Sequence, residues 1–70
     1  MMKRIFYTKH AMRRMSERGI PRGIVEAVVL NPDYRISESD IKKAVKVIEG
    51  TAYTIVLQEA EGYIRIITVY

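Results

Sequence analysis

The sequence of 70 residues is long enough for one domain with a single hydrophobic core and too short for two, so we expect one domain over residues 1–70. Nearly half of the residues are apolar, which favours a folded chain, and the net charge of +4 favours an anionic partner. The lack of cysteine excludes disulfides and thiolate zinc sites, and the single histidine argues against a histidine-based metal site, so we expect no metal and no cofactor.

Neither the start of the chain nor any later stretch has the composition of a targeting or membrane segment. The opening MMKRIFYT has a basic start but no apolar run of signal-peptide length, and roughly 18 consecutive apolar residues, as a membrane span needs, occur nowhere. We therefore expect a cytoplasmic protein that has no membrane partner.

The segment YTKHAMRRMSERGI predicts a first helix. Thr8 is a suitable N-cap and Gly19 a suitable stop, which gives a helix of about residues 9–18. Three apolar residues fall on one side of it and are expected in the core: Ala11, Met12 and Met15. A row of ionisable residues at intervals of four borders that side: His10, Arg14 and Arg18.

A second helix is predicted between Pro21 and the Asn31-Pro32 pair. Proline is tolerated at or before the first turn of a helix, and an Asn-Pro pair ends one. Apolar residues recur at helical spacing in this segment: Ile20, Ile24, Ala27 and Val28. We therefore expect a helix of about residues 22–30, although Gly23 and the three valines lower its helix propensity.

The C-terminal half predicts antiparallel strands joined by tight turns. The tract YRISESD is polar enough for a short edge strand or a loop. Three clearer strands follow in KAVKVIEG, AYTIVLQEA and YIRIITVY, with turns at Gly50 and Gly62. The predicted fold is α+β, with two N-terminal helices packed on one face of a three- to four-stranded antiparallel sheet.

Alternation along the last strand predicts two sets of side chains on opposite faces of the sheet. One set is Ile64, Ile66, Thr68 and Tyr70. The other is Tyr63, Arg65, Ile67 and Val69. Both sets are partly apolar, so the pattern does not indicate which face the helices cover.

Positive charge is concentrated at the N-terminal end. Residues 1–22 contain seven Lys or Arg and one Glu, a net charge of +6, whereas residues 23–70 contain five basic and seven acidic residues, a net charge of −2. Such an end suits RNA, DNA or an acidic protein, and the candidate nucleic-acid-binding residues are Lys9, Arg13, Arg14, Arg18 and Arg22. The alternative is a solvated helix face on which Glu17 pairs with Arg13 or Arg14, an interaction worth at most about 1 kcal/mol.

The motif YTKHAMRRMSERGI, the VxxAVxNP-like end of the second helix and the closing IRIITVY together resemble a known family. It is the small prokaryotic domain-of-unknown-function family four-two-five-eight, whose members begin with a His-Ala, Arg-Met, Glu-Arg-Gly-Ile run. The resemblance covers nearly the whole chain.

A second resemblance concerns toxins. The segments ERGIPRGIVEAVVLNP and EGYIRIITVY are similar to segments of BrnT-type toxins, within the broader RelE-like group of mRNA-cleaving toxins. This similarity implies helices on a small antiparallel sheet, RNA as the substrate, cleavage without a metal ion, and an antitoxin encoded alongside. BrnT-like chains continue with a basic segment after the last strand, and since this sequence stops at Tyr70, we do not expect those basic groups here.

Metal-independent RNA cleavage needs a base for the 2′-hydroxyl proton, an acid for the leaving oxygen and cations near the phosphate. His10 is the candidate for proton transfer, because histidine ordinarily changes charge near neutral pH. Arg14, with Arg18, is the candidate phosphate ligand. The remaining catalytic candidates are Arg65 as a further cation and Tyr70, or Tyr7, as a phenolic acid. In the alternative, His10 simply caps or packs against the helix.

Three functions are therefore open. The first is a RelE/BrnT-like toxin domain that acts on RNA, as an endoribonuclease if it is an enzyme. The second is a non-catalytic module that binds nucleic acid or an acidic protein through the basic face of the first helix. The third is a structural or regulatory homodimer that pairs through an exposed sheet edge, either YRISESD or the last strand. The tyrosines fit either base stacking or the edges of the core.

Overall fold

The computed structural model describes residues 3–70, which form two helices and five strands. In chain order these are β1 (Arg4–Tyr7), α1 (Lys9–Arg18), α2 (Arg22–Leu30), β2 (Tyr34–Glu38), β3 (Ile41–Ile48), β4 (Thr51–Ala60) and β5 (Tyr63–Val69). The α+β class is confirmed, and both helices have the predicted bounds. The polar tract YRISESD forms an edge strand, β2, rather than a loop.

The sheet differs from the predicted one in strand number and direction. Its spatial order is β1-β5-β4-β3-β2, and β2 to β5 pair antiparallel as expected. The strand β1, however, adds a fifth strand that runs parallel to β5, with Arg4 beside Tyr63 and Tyr7 beside Ile66. The prediction of three to four antiparallel strands was therefore wrong. It was also wrong to treat the last strand as an edge, because β5 lies between β1 and β4.

Both helices pack on one face of this sheet. The helix α1 lies over β5, and α2 lies over β4 and β3. A single core joins them, and its fully buried residues are Ala11, Val25, Val28, Ala44, Ile55, Leu57, Ile66 and Val69. Met15 is also buried, but Met12 is 50% exposed, so its predicted place in the core was wrong. The reason is that Ala11 and Met15, four residues apart, face β5. Met12 lies about 100° from Ala11 and about 60° from Met15 around the helix axis, on the side of Met15 away from Ala11.

A β-bulge in β5 changes which of its side chains face the core. The register between β4 and β5 shifts between Val56 and Leu57, which leaves Ile67 without a partner on β4. Alternation restarts after the extra residue, so Val69 lies in the core with the other inward residues of β5, Ile64 and Ile66. The predicted grouping of Val69 with Arg65 was wrong for this reason.

The hydroxyl of Thr8 joins β1, α1 and the bulge. Its Oγ1 accepts a hydrogen bond from the Ala11 N–H at 3.0 Å, which confirms the predicted N-cap. The same oxygen donates to the carbonyl oxygen of Ile67 at 2.9 Å. Gly19 ends α1 in the left-handed conformation, at φ 65°, as predicted. The start of α1 is therefore fixed against the β1–β5 end of the sheet.

The opposite face of the sheet, which we call the open face, is not covered by either helix. Pairing register places on it Arg4, Phe6, Tyr34, Ile36, Lys43, Val45, Val47, Thr54, Val56, Gln58, Tyr63 and Arg65. Several large side chains on this face are between 40% and 56% exposed: Phe6, Tyr34, Ile36, Val47 and Tyr63.

Candidate nucleic-acid interface

The helix α1 presents most of its basic side chains outward because its buried residues, Ala11 and Met15, face β5, whereas the Nε of Arg14 is buried and has no hydrogen-bond partner within residues 3–70. Lys9, Arg13 and Arg18 are exposed, and Arg14 is half-buried beside the core. Arg22, the first residue of α2, is exposed as well. These five predicted nucleic-acid-binding residues thus share the helical layer, and we call the set the helix surface.

Arg22 is held against an aromatic ring of β1. Its guanidinium carbon lies 5.3 Å from the centroid of the Tyr7 ring, which is a cation–π distance. Burial raises the pKa of the Tyr7 hydroxyl, as does the charge of Glu26, while Arg22 acts in the opposite direction. The Tyr7 hydroxyl oxygen is buried and has no hydrogen-bond partner within residues 3–70, so the phenol stays protonated.

The cations of the helix surface have no acidic partner within residues 3–70. The ion pairs in that range join Lys3, Arg35 and Lys42 to Glu59, and Lys46 to Asp33. All four cations in these pairs are outside α1 and α2, and no carboxylate oxygen lies within 4.0 Å of the helix-surface nitrogens. The alternative in which Glu17 neutralises Arg13 or Arg14 does not describe this structure.

A cavity of about 580 Å³ lies at the β1 edge of the sheet, where β1 leads into α1. It is lined by Phe6, Tyr7, Thr8, Lys9, Tyr63 and Arg65. The rings of Phe6 and Tyr63 meet edge to face with their centroids 5.6 Å apart, and the Arg4 guanidinium carbon lies 5.3 Å from the Phe6 centroid. The cavity volume is typical of small-ligand sites, and its lining combines aromatic rings with two cations.

The predicted catalytic residues are divided between two parts of the molecule. His10, which is exposed, and Arg14 are on α1 in the helical layer, whereas Arg65 is on the open face. Tyr70 pairs through its backbone with Thr54, so the bulge places it on the same face as Arg65, contrary to prediction.

These catalytic candidates do not meet in one cluster. Arg65 is opposite Gln58 and Tyr70 is opposite Thr54, four residues away along β4. At about 3.3 Å per residue, the backbones of Arg65 and Tyr70 lie about 13 Å apart. Of the four candidates, Arg65 lines the cavity.

Two residues of this region were not predicted as functional, namely Arg4 and Phe6. They alternate with Ile5 and Tyr7 along β1, but Ile5, Phe6 and Tyr7 follow one another without a polar residue between them, so RIFY lacks the apolar–polar alternation that indicates a strand. Their position becomes apparent only when β1 pairs with β5, since that pairing puts Phe6 beside Arg65.

The described residues offer no metal centre and no membrane span. Within residues 3–70, no three His, Asp or Glu side chains lie together in a way that could hold a metal ion. Over the same range, no helix has the length and apolar character needed to cross a membrane.

Comparison with known proteins identifies a family. No curated protein and no solved structure matches the chain. A family model described as "Domain of unknown function (DUF4258)" matches residues 7–70, from the last residue of β1 to the C-terminal residue. Because this match covers well over half of the chain, the predicted family is confirmed: the protein belongs to the DUF4258 family.

Proposed function

We propose that the domain binds RNA through the helix surface formed by Lys9, Arg13, Arg14, Arg18 and Arg22. The observation that carries this proposal is that these cations have no carboxylate partner among residues 3–70. The ion pairs in that range are formed by cations outside α1 and α2. Unpaired cations grouped on consecutive helices are what binding to a polyanion requires.

Two further points concern the polyanion, the first favouring phosphate as the ligand and the second favouring RNA. Four of the five cations are arginines, whose planar forks form paired hydrogen bonds with phosphate oxygens. The similarity of two segments to BrnT-type toxins also favours RNA over DNA. An acidic antitoxin, if one is encoded alongside, would compete with RNA for the same helix surface.

The proposal is tested with paired variants. A labelled single-stranded RNA of about twelve nucleotides, within the span of small RNA-binding domains, is titrated by fluorescence anisotropy at several salt concentrations. The double variant Arg13→Gln, Arg18→Gln should bind more weakly, and its salt slope should be shallower by about 1.4, at about 0.7 per lost phosphate contact.

Lys43→Gln is the matched control, because Lys43 is on the open face and is likewise outside the ion pairs of the described residues. It should bind as the wild type does. An equal loss of affinity in the control and the double variant would contradict a specific role for the helix surface.

Metal-independent RNA cleavage, as in RelE/BrnT-like toxins, is a second candidate function. It is favoured by one observation: Lys9 and Arg65 line the same cavity, where two cations can neutralise the charge that builds on a phosphate. His10, the residue after Lys9 on α1, stays the candidate base by its residue type, and it lies outside the lining of the cavity. RNA cleavage in excess EDTA that is lost in both His10→Ala and Arg65→Ala would support this activity. If the wild type binds RNA without cleaving it, the activity is excluded and the proposal of RNA binding stands.

A further inference from the structure

We infer that the cavity at the β1 edge is a nucleobase pocket, which takes one unpaired base of an RNA strand whose phosphates follow the helix surface. This inference rests on the proposed RNA binding and adds a contact with bases to it. Three features of the cavity carry the argument: its aromatic wall, its unpaired cations and its connection to the helix surface.

The aromatic wall consists of Phe6 and Tyr63, from neighbouring strands. Both belong to the open face, and their planes are inclined at 84°. Phe6 is 46% and Tyr63 is 40% exposed, so much of each ring faces solvent. In an edge-to-face pair, one ring meets its neighbour only by its edge and keeps both faces clear of that neighbour. The Arg4 guanidinium lies over one face of Phe6, so a stacked base would meet Tyr63 or the other face of Phe6. Bases stack on such rings irrespective of sequence.

Two cations line the cavity beside the aromatic wall. Arg65 follows Tyr63 by two residues on β5 and shares its face, and Lys9 lines the cavity from α1. Within residues 3–70 neither of them belongs to an ion pair. An aromatic wall flanked by free cations complements a ligand that is both planar and anionic, which describes a nucleotide and not an apolar protein segment.

The rest of the open face has a different character. Near β2 and β3 its exposed side chains are mainly aliphatic, such as Ile36 and Val47, with Tyr34 as an isolated aromatic residue. Two neighbouring rings occur with two cations at the β1 edge, whereas near β2 and β3 the single ring Tyr34 shares the face with the single cation Lys43. Tyr34 provides a control residue of the same type on the same face.

The cavity is continuous with the helix surface through Lys9, which belongs to both. Arg13 lies one helical turn beyond Lys9, on the same side of α1, at about 5–6 Å between Cβ atoms. An RNA strand bound along α1 therefore passes the mouth of the cavity. A base turned inward from that strand would meet Tyr63 without displacing the phosphates from the arginines.

The decisive experiment compares oligouridylate with an abasic oligomer that has the same number of phosphates. The wild type should bind oligouridylate more tightly by about 5-fold or more, the usual effect of losing one stacked base. Tyr63→Ala should bring this ratio close to one, and Tyr34→Ala should leave it unchanged. Equal binding of both oligomers by the wild type, or an equal loss in Tyr34→Ala, would overturn the pocket assignment.

The same titrations distinguish a failure of the nucleobase pocket from a failure of RNA binding. If neither oligomer binds in a salt-dependent way, RNA binding itself fails. If both bind equally and with the same salt dependence, RNA binding stands and the pocket fails.

A measurement on the wild type avoids any folding defect of Tyr63→Ala. Titration with uridine monophosphate, followed by amide NMR shifts, should affect residues 6–9 and 63–65. Shifts confined to β2 and β3, or no shifts, would overturn the assignment.

Discussion

Glu59 is the centre of the largest ion-pair cluster in the described part of the chain, and its replacement by glutamine is expected to destabilise the domain. The Lys42 and Lys3 ammonium groups approach its carboxylate oxygens at 2.9 and 3.2 Å, and the Arg35 guanidinium approaches at 3.5 Å. Hydrogen bonds from Lys42 and Lys3, together with the charges of Lys42 and Arg35, lower the pKa of the Glu59 carboxyl from 4.5 to about 2.

This pKa change sets the magnitude and the pH range of the effect. It corresponds to at most about 3.4 kcal/mol of unfolding free energy, at 1.36 kcal/mol per pKa unit. The three cations are 32–39% exposed, so screening by water reduces the expected loss in Glu59→Gln to about 1–2 kcal/mol at pH 7. Because the folded-state pKa lies below the unfolded value, the stabilisation is fully present above about pH 4.5 and disappears as the pH falls toward 2.

Urea denaturation followed by circular dichroism measures both effects. The wild type should lose stability between pH 5 and pH 2 more steeply than Glu59→Gln does. Glu38→Gln is the matched control, because Glu38 is exposed and outside the ion pairs of residues 3–70, and it should behave as the wild type does. Identical acid profiles for the wild type and Glu59→Gln would refute the account of the cluster.

Two further predictions concern the helices and are measured in the same way. Gly19→Ala should lower the unfolding free energy by about 1 kcal/mol, because Gly19 has φ 65° and alanine is strained there. Gly23→Ala should raise the unfolding free energy by about 0.5–1 kcal/mol, because Gly23 is within α2 at negative φ with open space around the added Cβ. A change of the same sign in both variants would contradict this reasoning. Thr8→Val keeps the branched shape but loses the N-cap and the hydrogen bond to Ile67, so the unfolding free energy should fall by about 1–2 kcal/mol. Thr8→Ser, which keeps the hydroxyl, should retain most of the stability. A fully stable Thr8→Val would show that the hydroxyl is not needed.

The helices could be predicted because their signals are local. Thr8 and Gly19 bound α1 by their own conformational preferences, and Asn31-Pro32 ends α2 in the same way. The turns at Gly50 and Gly62 follow from the left-handed conformation that glycine adopts there, at φ 82° and 86°. Such features need no knowledge of the rest of the fold.

The strand β1 and the bulge could not be predicted, because they depend on contacts between the two ends of the chain. Thr8 and Ile67 are 59 residues apart in sequence, and no local pattern contains their hydrogen bond. The four residues of β1 become a strand only through their parallel pairing with β5.

The same distinction applies to the candidate site. Helical periodicity predicted that Lys9 and Arg13 face away from the core and that Arg14 and Arg18 border its apolar side, since this needs only the positions of the apolar residues of α1. The cavity, in contrast, combines residues of β1, α1 and β5. Tyr63 was considered for stacking from its residue type alone, and its pairing with Phe6 required the parallel register.

The salt dependence of RNA binding by the wild-type protein tests the central claim most directly. If all five cations of the helix surface contact phosphates, log K should fall with log salt at a slope of about −3.5, so that affinity drops about 100-fold between about 50 and 200 mM salt. A slope shallower than about −1 would mean one or two phosphate contacts at most, which would contradict an RNA-binding role for the helix surface.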